Sequence, residues 1–134
     1  MGRPVPRAQA AAFVSRYGET WERWDVEGFV GLFSEDVVYV AHATDETVLG
    51  RRALTEYVER EKREQGAVSV RTGLPVIDSD RVAAEFWVNS RGERAGTTMG
   101  CVIAHLDPLC ACDIFREYWF DIDGNVAAFP GWGE

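Results

Sequence analysis

The segment Asp25-Val-Glu-Gly-Phe-Val-Gly-Leu-Phe-Ser-Glu-Asp-Val-Val-Tyr-Val-Ala-His42 changes its hydrophobic period once along its length. Asp25 is a capping residue type ahead of a short helix whose inward residues are Phe29, Val30, Leu32 and Phe33. Asp36 ends that helix, and Asp36 to His42 is compact, β-branched and aromatic, as a strand requires. Upstream, Gln9 to Trp24 carries Phe13, Tyr17, Trp21 and Trp24 at steps of four, four and three, one aromatic stripe on a helix. Downstream, a polar loop at Ala43 to Thr47 leads to a third helix, Arg51 to Gln65, stopped by Gly66. Its inward residues are Leu54, Tyr57 and Val58, and Glu56–Arg60 and Glu59–Arg63 are spaced as outward i,i+4 pairs.

Beyond Gly66 every segment reads as extended. Val68 to Ile77 is a strand with a kink at Gly73 and Pro75, and Asp78 to Asp80 turns into a strand over Arg81 to Asn89. Ser90 to Glu93 turns into Ala95 to Leu106, and Asp107 to Cys110 turns into Ala111 to Phe120. Three helices and then four consecutive strands with short turns imply an α+β fold. A cone-shaped, curved antiparallel (mixed) sheet wraps the three N-terminal helices and encloses a pocket. The expected organisation is a single domain over 1–134, with its core at about 9–120 and a tail at 121–134.

Composition excludes several classes. With 46% hydrophobic and 27% charged residues among 134, the chain has the balance of a globular domain. Fourteen basic against 22 acidic residues give a net charge of −8, a field that repels phosphate backbones and argues against nucleic-acid binding. Apolar runs fall far short of the ~20 residues of a membrane span, so no membrane partner is expected. Met1 to Arg7 has no apolar signal core behind it, and the cytoplasm is the expected compartment. Cys101, Cys110 and Cys112 cannot all pair within one chain, and the C-x-C spacing is not that of a zinc or thioredoxin motif. No metal site or cofactor is implied.

The order of elements, with Trp24 to Tyr39, Gly50-Arg-Arg-Ala-Leu-Thr-Glu-Tyr57, Ala84-Glu-Phe-Trp87 and Phe115-Arg-Glu-Tyr-Trp119, resembles the nuclear transport factor 2-like superfamily. The resemblance is to its SnoaL-like and ketosteroid-isomerase-like branch. In ketosteroid isomerases a first-helix tyrosine donates to an oxyanion, and Tyr17 sits at that place. The resemblance puts Ala41, with His42 beside it, where the isomerases carry their general-base aspartate. It puts Val102 near their second, protonated donor aspartate. With one of three roles surviving, steroid isomerisation is disfavoured.

Alternation along the last strand puts Phe115, Glu117 and Trp119 on one face and Arg116 and Tyr118 on the other. The isomerase analogy turns the first set toward the pocket, where aromatic neighbours desolvate Glu117 and raise its pKa toward the range of acid–base work. Glu85, in the face Glu85–Trp87–Asn89, is a second candidate carboxylate if that face shares the cavity. The candidate catalytic residues are therefore Glu117, Glu85 and Tyr17. The candidate binding residues are Trp21, Phe29, Phe33, Tyr39, His42, Trp87, Phe115 and Trp119. Structural readings stand beside each: an ion pair with arginine for Glu117, an exposed or dimer face for Glu85, plain core for Tyr17, and an exposed strand end for His42. His105 sits near a turn and is read as structural.

Two function classes follow. One is a cofactor-free cyclase, isomerase, dehydratase or epoxide hydrolase working by proton transfer on an apolar, oxygen-bearing ring compound. The other is a non-catalytic ligand-binding or dimerising module. The expected partners are a small apolar or aromatic ligand and a second copy of the chain.

Overall fold

The computed structural model describes residues 4–42, 46–92 and 95–134. The first helix, α1, runs from Arg7 to Arg23 and buries Ala10, Phe13, Val14 and Tyr17. It ends on Trp24, a non-glycine residue at φ 50°, while Asp25 N–H reaches back to Thr20 O at 2.9 Å. That six-residue return closes the C-terminus in the Schellman manner. The Trp24 indole N–H donates to Gly66 O at 2.7 Å, a bond that ties the end of α1 to the end of the third helix.

Asp25 caps α2 (Val26–Val30), accepting from the Gly28 N–H at 3.0 Å as its residue type implied. This helix stops earlier than the apolar pattern suggested. Leu32 O accepts from Cys112 N–H at 2.9 Å, and Phe33 is already paired in β1 (Phe33–Ala41). Sheet hydrogen bonds replace helical ones at that point, so Leu32 and Phe33 leave the helix.

Part of the expected loop is also a strand. Glu46 and Thr47 belong to β2 (Glu46–Leu49), antiparallel to β1, whereas 43–45 lie outside the described residues. Helix α3 (Gly50–Gln65) starts at a glycine with φ +84° and ends at Gly66. Among the described residues, Arg60 forms a salt bridge with Glu46 across to β2, N to O 2.6 Å, rather than the expected pair with Glu56. Neither i,i+4 pair forms.

The kink at Gly73 and Pro75 divides the next strand into β3 (Val68–Thr72) and β4 (Val76–Asp78), both paired with β5 (Arg81–Ser90). The turn expected at Ser90 to Glu93 lies partly outside the described residues. It leads into β6 (Gly96–Leu106), and β7 (Cys112–Asp123) ends the sheet. The strand order is β2-β1-β7-β6-β5-β3, with β4 also on β5. Neighbours are antiparallel except β1 and β7, which are parallel. The sheet curls over α1 and α3 without closing.

Its concave face carries Tyr39, Phe86, Phe115 and Leu106, which pack with Phe13 and Phe29 from the helices. On the convex face, residues after β7 fold back. Trp132 is 5% exposed, its ring 6.0 Å from that of Trp87 and under the Arg71 guanidinium at 5.0 Å.

Candidate active site in the cone

The β7 alternation resolves as the sequence implied: Phe115 and Glu117 are buried on the concave face, Trp119 is half-buried beyond them, and Tyr118 is exposed behind. Glu117 lies opposite Ala41 of β1 on one side and Val102 of β6 on the other. These are the two positions where the isomerase resemblance placed carboxylates. Both are small and apolar here, and the carboxylate stands on the strand between them.

Glu117 is 6% exposed. The Tyr17 hydroxyl donates to its Oε2 at 2.6 Å, in the range of a charge-assisted bond. Burial pushes its pKa up to about 7, because an ion loses its water there. Hydrogen bonding from Tyr17 and then Tyr39 opposes that shift, and the charge of Glu61 adds to it. Among the described residues no arginine pairs with it, and the carboxylate is held by phenols instead. Burial, and next the neighbouring Glu117 charge, raises the Tyr17, Tyr39 and Tyr57 hydroxyls well above their ordinary range. All three stay neutral donors at physiological pH.

A cavity of about 740 Å³ opens onto Glu117. Tyr39 and Phe29 line its inner part, and Trp21, Trp24, Phe86 and Trp119 line its walls. That volume lies within the ~300–1,000 Å³ of small-molecule sites. Lining groups missed in the sequence include Trp24 and Phe86 on the walls, Tyr57 as more than core, and Glu61. Tyr57 and Glu61 are i,i+4 on α3, so the inward assignment of Tyr57 already placed Glu61 on the same face. Burial raises the Glu61 carboxyl, a hydrogen bond with Tyr57 opposes this, and Glu64 adds repulsion.

Other candidates fall elsewhere. Tyr17, Phe33 and Phe115 are buried behind the cavity surface rather than on it. Tyr17 is thus both core and donor, its bond going to Glu117. His42, at φ 65°, rests its ring edge-on against Trp119 at 4.7 Å, with Nε2 3.1 Å from Trp119 O. It braces the wall from outside. Glu85 and Trp87 are corrected outright: the apolar set Val82–Ala84–Phe86–Val88 takes the concave side, which leaves Glu85 exposed on the convex face. Trp87 donates its indole N–H to Val126 O at 2.8 Å there. The three cysteines are free, and no cluster of metal-ligating side chains occurs among the described residues. No described helix is long and apolar enough to cross a membrane.

The SnoaL-like domain family matches residues 14–108. The chain belongs to the SnoaL-like family. No curated protein matches this SnoaL-like chain in sequence. Solved structures match it in fold. An epoxide hydrolase from M. tuberculosis, of the LEH-like kind, superposes with TM-score 0.68 at 16% identity, covering 84% of each chain. SalBIII, an epoxide hydrolase/cyclase-like enzyme in pyran ring formation in the polyether salinomycin, gives 0.72 at 18%, covering 84% of this chain and 92% of that one. A protein of ketosteroid isomerase-like fold from Catenulispora acidiphila, solved in complex with trimethylamine, gives 0.72 at 18%, covering 79% and 83%.

Proposed function

We propose that this SnoaL-like protein is an acid–base enzyme acting on a small, largely apolar compound that carries a ring oxygen or carbonyl. Cyclase, isomerase or epoxide-opening chemistry fits the site. The observation that carries this reading is Glu117: buried, without a cationic partner among the described residues, facing an aromatic cavity, and poised near pH 7. A general base is most effective when its pKa lies near the working pH. Deprotonated Glu117 would take a proton from a substrate carbon, a hydroxyl or an attacking water. The neutral phenols of Tyr39 and Tyr57 line the same cavity; in this structure they donate to Glu117 and Glu61, and each would turn its single O–H to the substrate oxygen where charge develops. Tyr17 acts through Glu117 and is a positioning residue.

The fold likeness to an epoxide hydrolase and to a cyclase-like enzyme supports this range of reactions without choosing among them. The test is turnover of a panel of cyclic epoxides, hydroxy-epoxides and enolisable ring ketones. We expect at least one to react, with Glu117→Gln lowering kcat by about 100-fold or more. Saturable binding across the panel with no turnover would return the protein to the ligand-binding module.

The convex face of the sheet supports a homodimer, since Ile114, Tyr118 and Phe120 of β7 stand exposed on it. Free cysteines suit a reducing compartment and support a cytoplasmic setting.

A further inference from the structure

Every charged side chain among the described residues that line the cavity is a carboxylate. Glu117 lies within, Glu61 stands half-buried beside Tyr57, and Asp25, Glu64, Asp121 and Asp123 are exposed at the opening. Lysine, arginine and histidine are absent from that described lining. Arg60, whose charge acts against the upward shift of the Glu61 carboxyl, lies outside that lining: it binds Glu46 at 2.6 Å and sits over the Tyr57 ring at 5.2 Å.

Rim acids alone would do no more than solvate the opening. Here they lead into a cavity whose walls include the indoles of Trp21, Trp24 and Trp119, and whose inner end is a carboxylate with 6% exposure. Aromatic faces carry negative quadrupole charge and attract cations, the more so once both are desolvated. Carboxylates and π faces along one path therefore act with the same sign. An anionic ligand meets repulsion at the opening, along the wall and at the inner end.

We infer that the ligand this cavity selects is an organic cation, an apolar or aromatic body bearing an amine or quaternary ammonium group. The inference rests on the proposed function, since it names the substrate class of the same site. The cationic group lies toward Glu61 and Glu64, between Trp24 and Trp119, and the uncharged body extends inward to Glu117. A cation bound so close also favours the ionised form of Glu117, which arms it as the base.

Three probes of matched shape test this: benzyltrimethylammonium, its carbon isostere neopentylbenzene, and the anion phenylmethanesulfonate. Binding is followed by tryptophan fluorescence and calorimetry. The expected result is a cation affinity at least about ten-fold above that of the neutral isostere, with no saturable response to the anion. Glu61→Gln with Glu64→Gln should reduce the cation preference to about two- or three-fold, while neopentylbenzene binding stays the same. Raising salt from about 20 to about 500 mM should weaken the cation alone, a readout on the unaltered protein that holds even if the double variant misfolds. Calorimetry near pH 7 in buffers of different ionisation enthalpy should show proton release with the cation and none with the isostere.

Neopentylbenzene binding as well as or better than the cation would overturn the inference and leave the proposed function standing. Failure of all three probes to bind would also overturn the inference, whereas the proposed function fails only if the epoxide and ketone panel shows no turnover.

Discussion

Glu117 couples chemistry to stability, and the sign of that coupling is open to measurement. Its folded pKa, about 7, lies above the ordinary carboxylate value of 4.5, so folding favours the protonated acid. The protein carries no penalty from Glu117 below about pH 4.5. The penalty grows as pH rises toward 7 and is constant beyond. Glu117→Gln keeps the shape without the charge, and should be more stable than the parent at pH 8 by a few kcal/mol, with most of the gain absent at pH 5. Urea denaturation of both proteins at the two pH values checks it, and a less stable variant at pH 8 would restore a structural role. Tyr17→Phe removes a bond that holds the Glu117 pKa down. We expect about 1–3 kcal/mol of destabilisation from a buried carboxylate left with Tyr39 alone, and a pH–rate profile moved to higher pH. The parity of Phe115-Arg-Glu-Tyr-Trp119 made Glu117 legible in the sequence. Its partner Tyr17 was legible as an aromatic on a helical stripe and, through the family resemblance, as a donor, but not as the donor to Glu117, because pairing across such a distance leaves no local pattern. Glu85 misled because period-two alternation says which residues share a face and not which face turns inward.

Elements with strong local signals were readable, and those fixed by pairing were not. The α1 stripe, the Asp25 cap and the Gly66 stop are written into nearest neighbours. The end of α2 and the whole of β2 are set by partners elsewhere, Cys112 for the first and β1 for the second. At Trp24 both kinds of information meet. Its left-handed backbone carries a cost of order 1–2 kcal/mol for an L-residue, and its indole bond to Gly66 O offsets it while fixing a cavity wall. Trp24→Phe keeps an aromatic wall and loses the donor. It should destabilise by about 1 kcal/mol and weaken ligand binding several-fold by freeing the ends of α1 and α3 from each other. Thermal melts and fluorescence titration measure the two effects separately. Gly100, between Phe86 and Trp119 in the register, marks a tighter constraint: a Cβ there meets Tyr118 O from the adjacent strand, so only glycine lets β6 and β7 pair.

For the molecule as a whole, the convex face divides into two parts. The returning tail covers the side near β3 and β5 through Trp132, Trp87 and Arg71. The β7 side remains open, with Phe120 62% exposed. We expect an isologous dimer through that open side. Sedimentation should give twice the 15.0 kDa chain mass at tens of micromolar, and Phe120→Lys should shift it toward monomer. A monomeric parent would remove the dimer. The tail's role was not legible, because Pro130-Gly-Trp-Gly carries no periodicity and its place depends on a tryptophan sited on the sheet's far side.

Tyr17 on α1 and Glu117 on β7 stand 100 positions apart, and the β1–β7 ladder that seats Glu117 beside Ala41 is parallel and long-range. Joining such distant segments costs chain entropy before any contact repays it, which makes β1–β7 docking a late event in folding. The cavity should therefore form with the last cooperative step, and a nascent chain that has not yet emitted β7 has neither its site nor the strand that joins β1 to β6. An occupant of the cavity would act chiefly as a latch, slowing the escape of β7 while leaving the folding rate nearly unchanged.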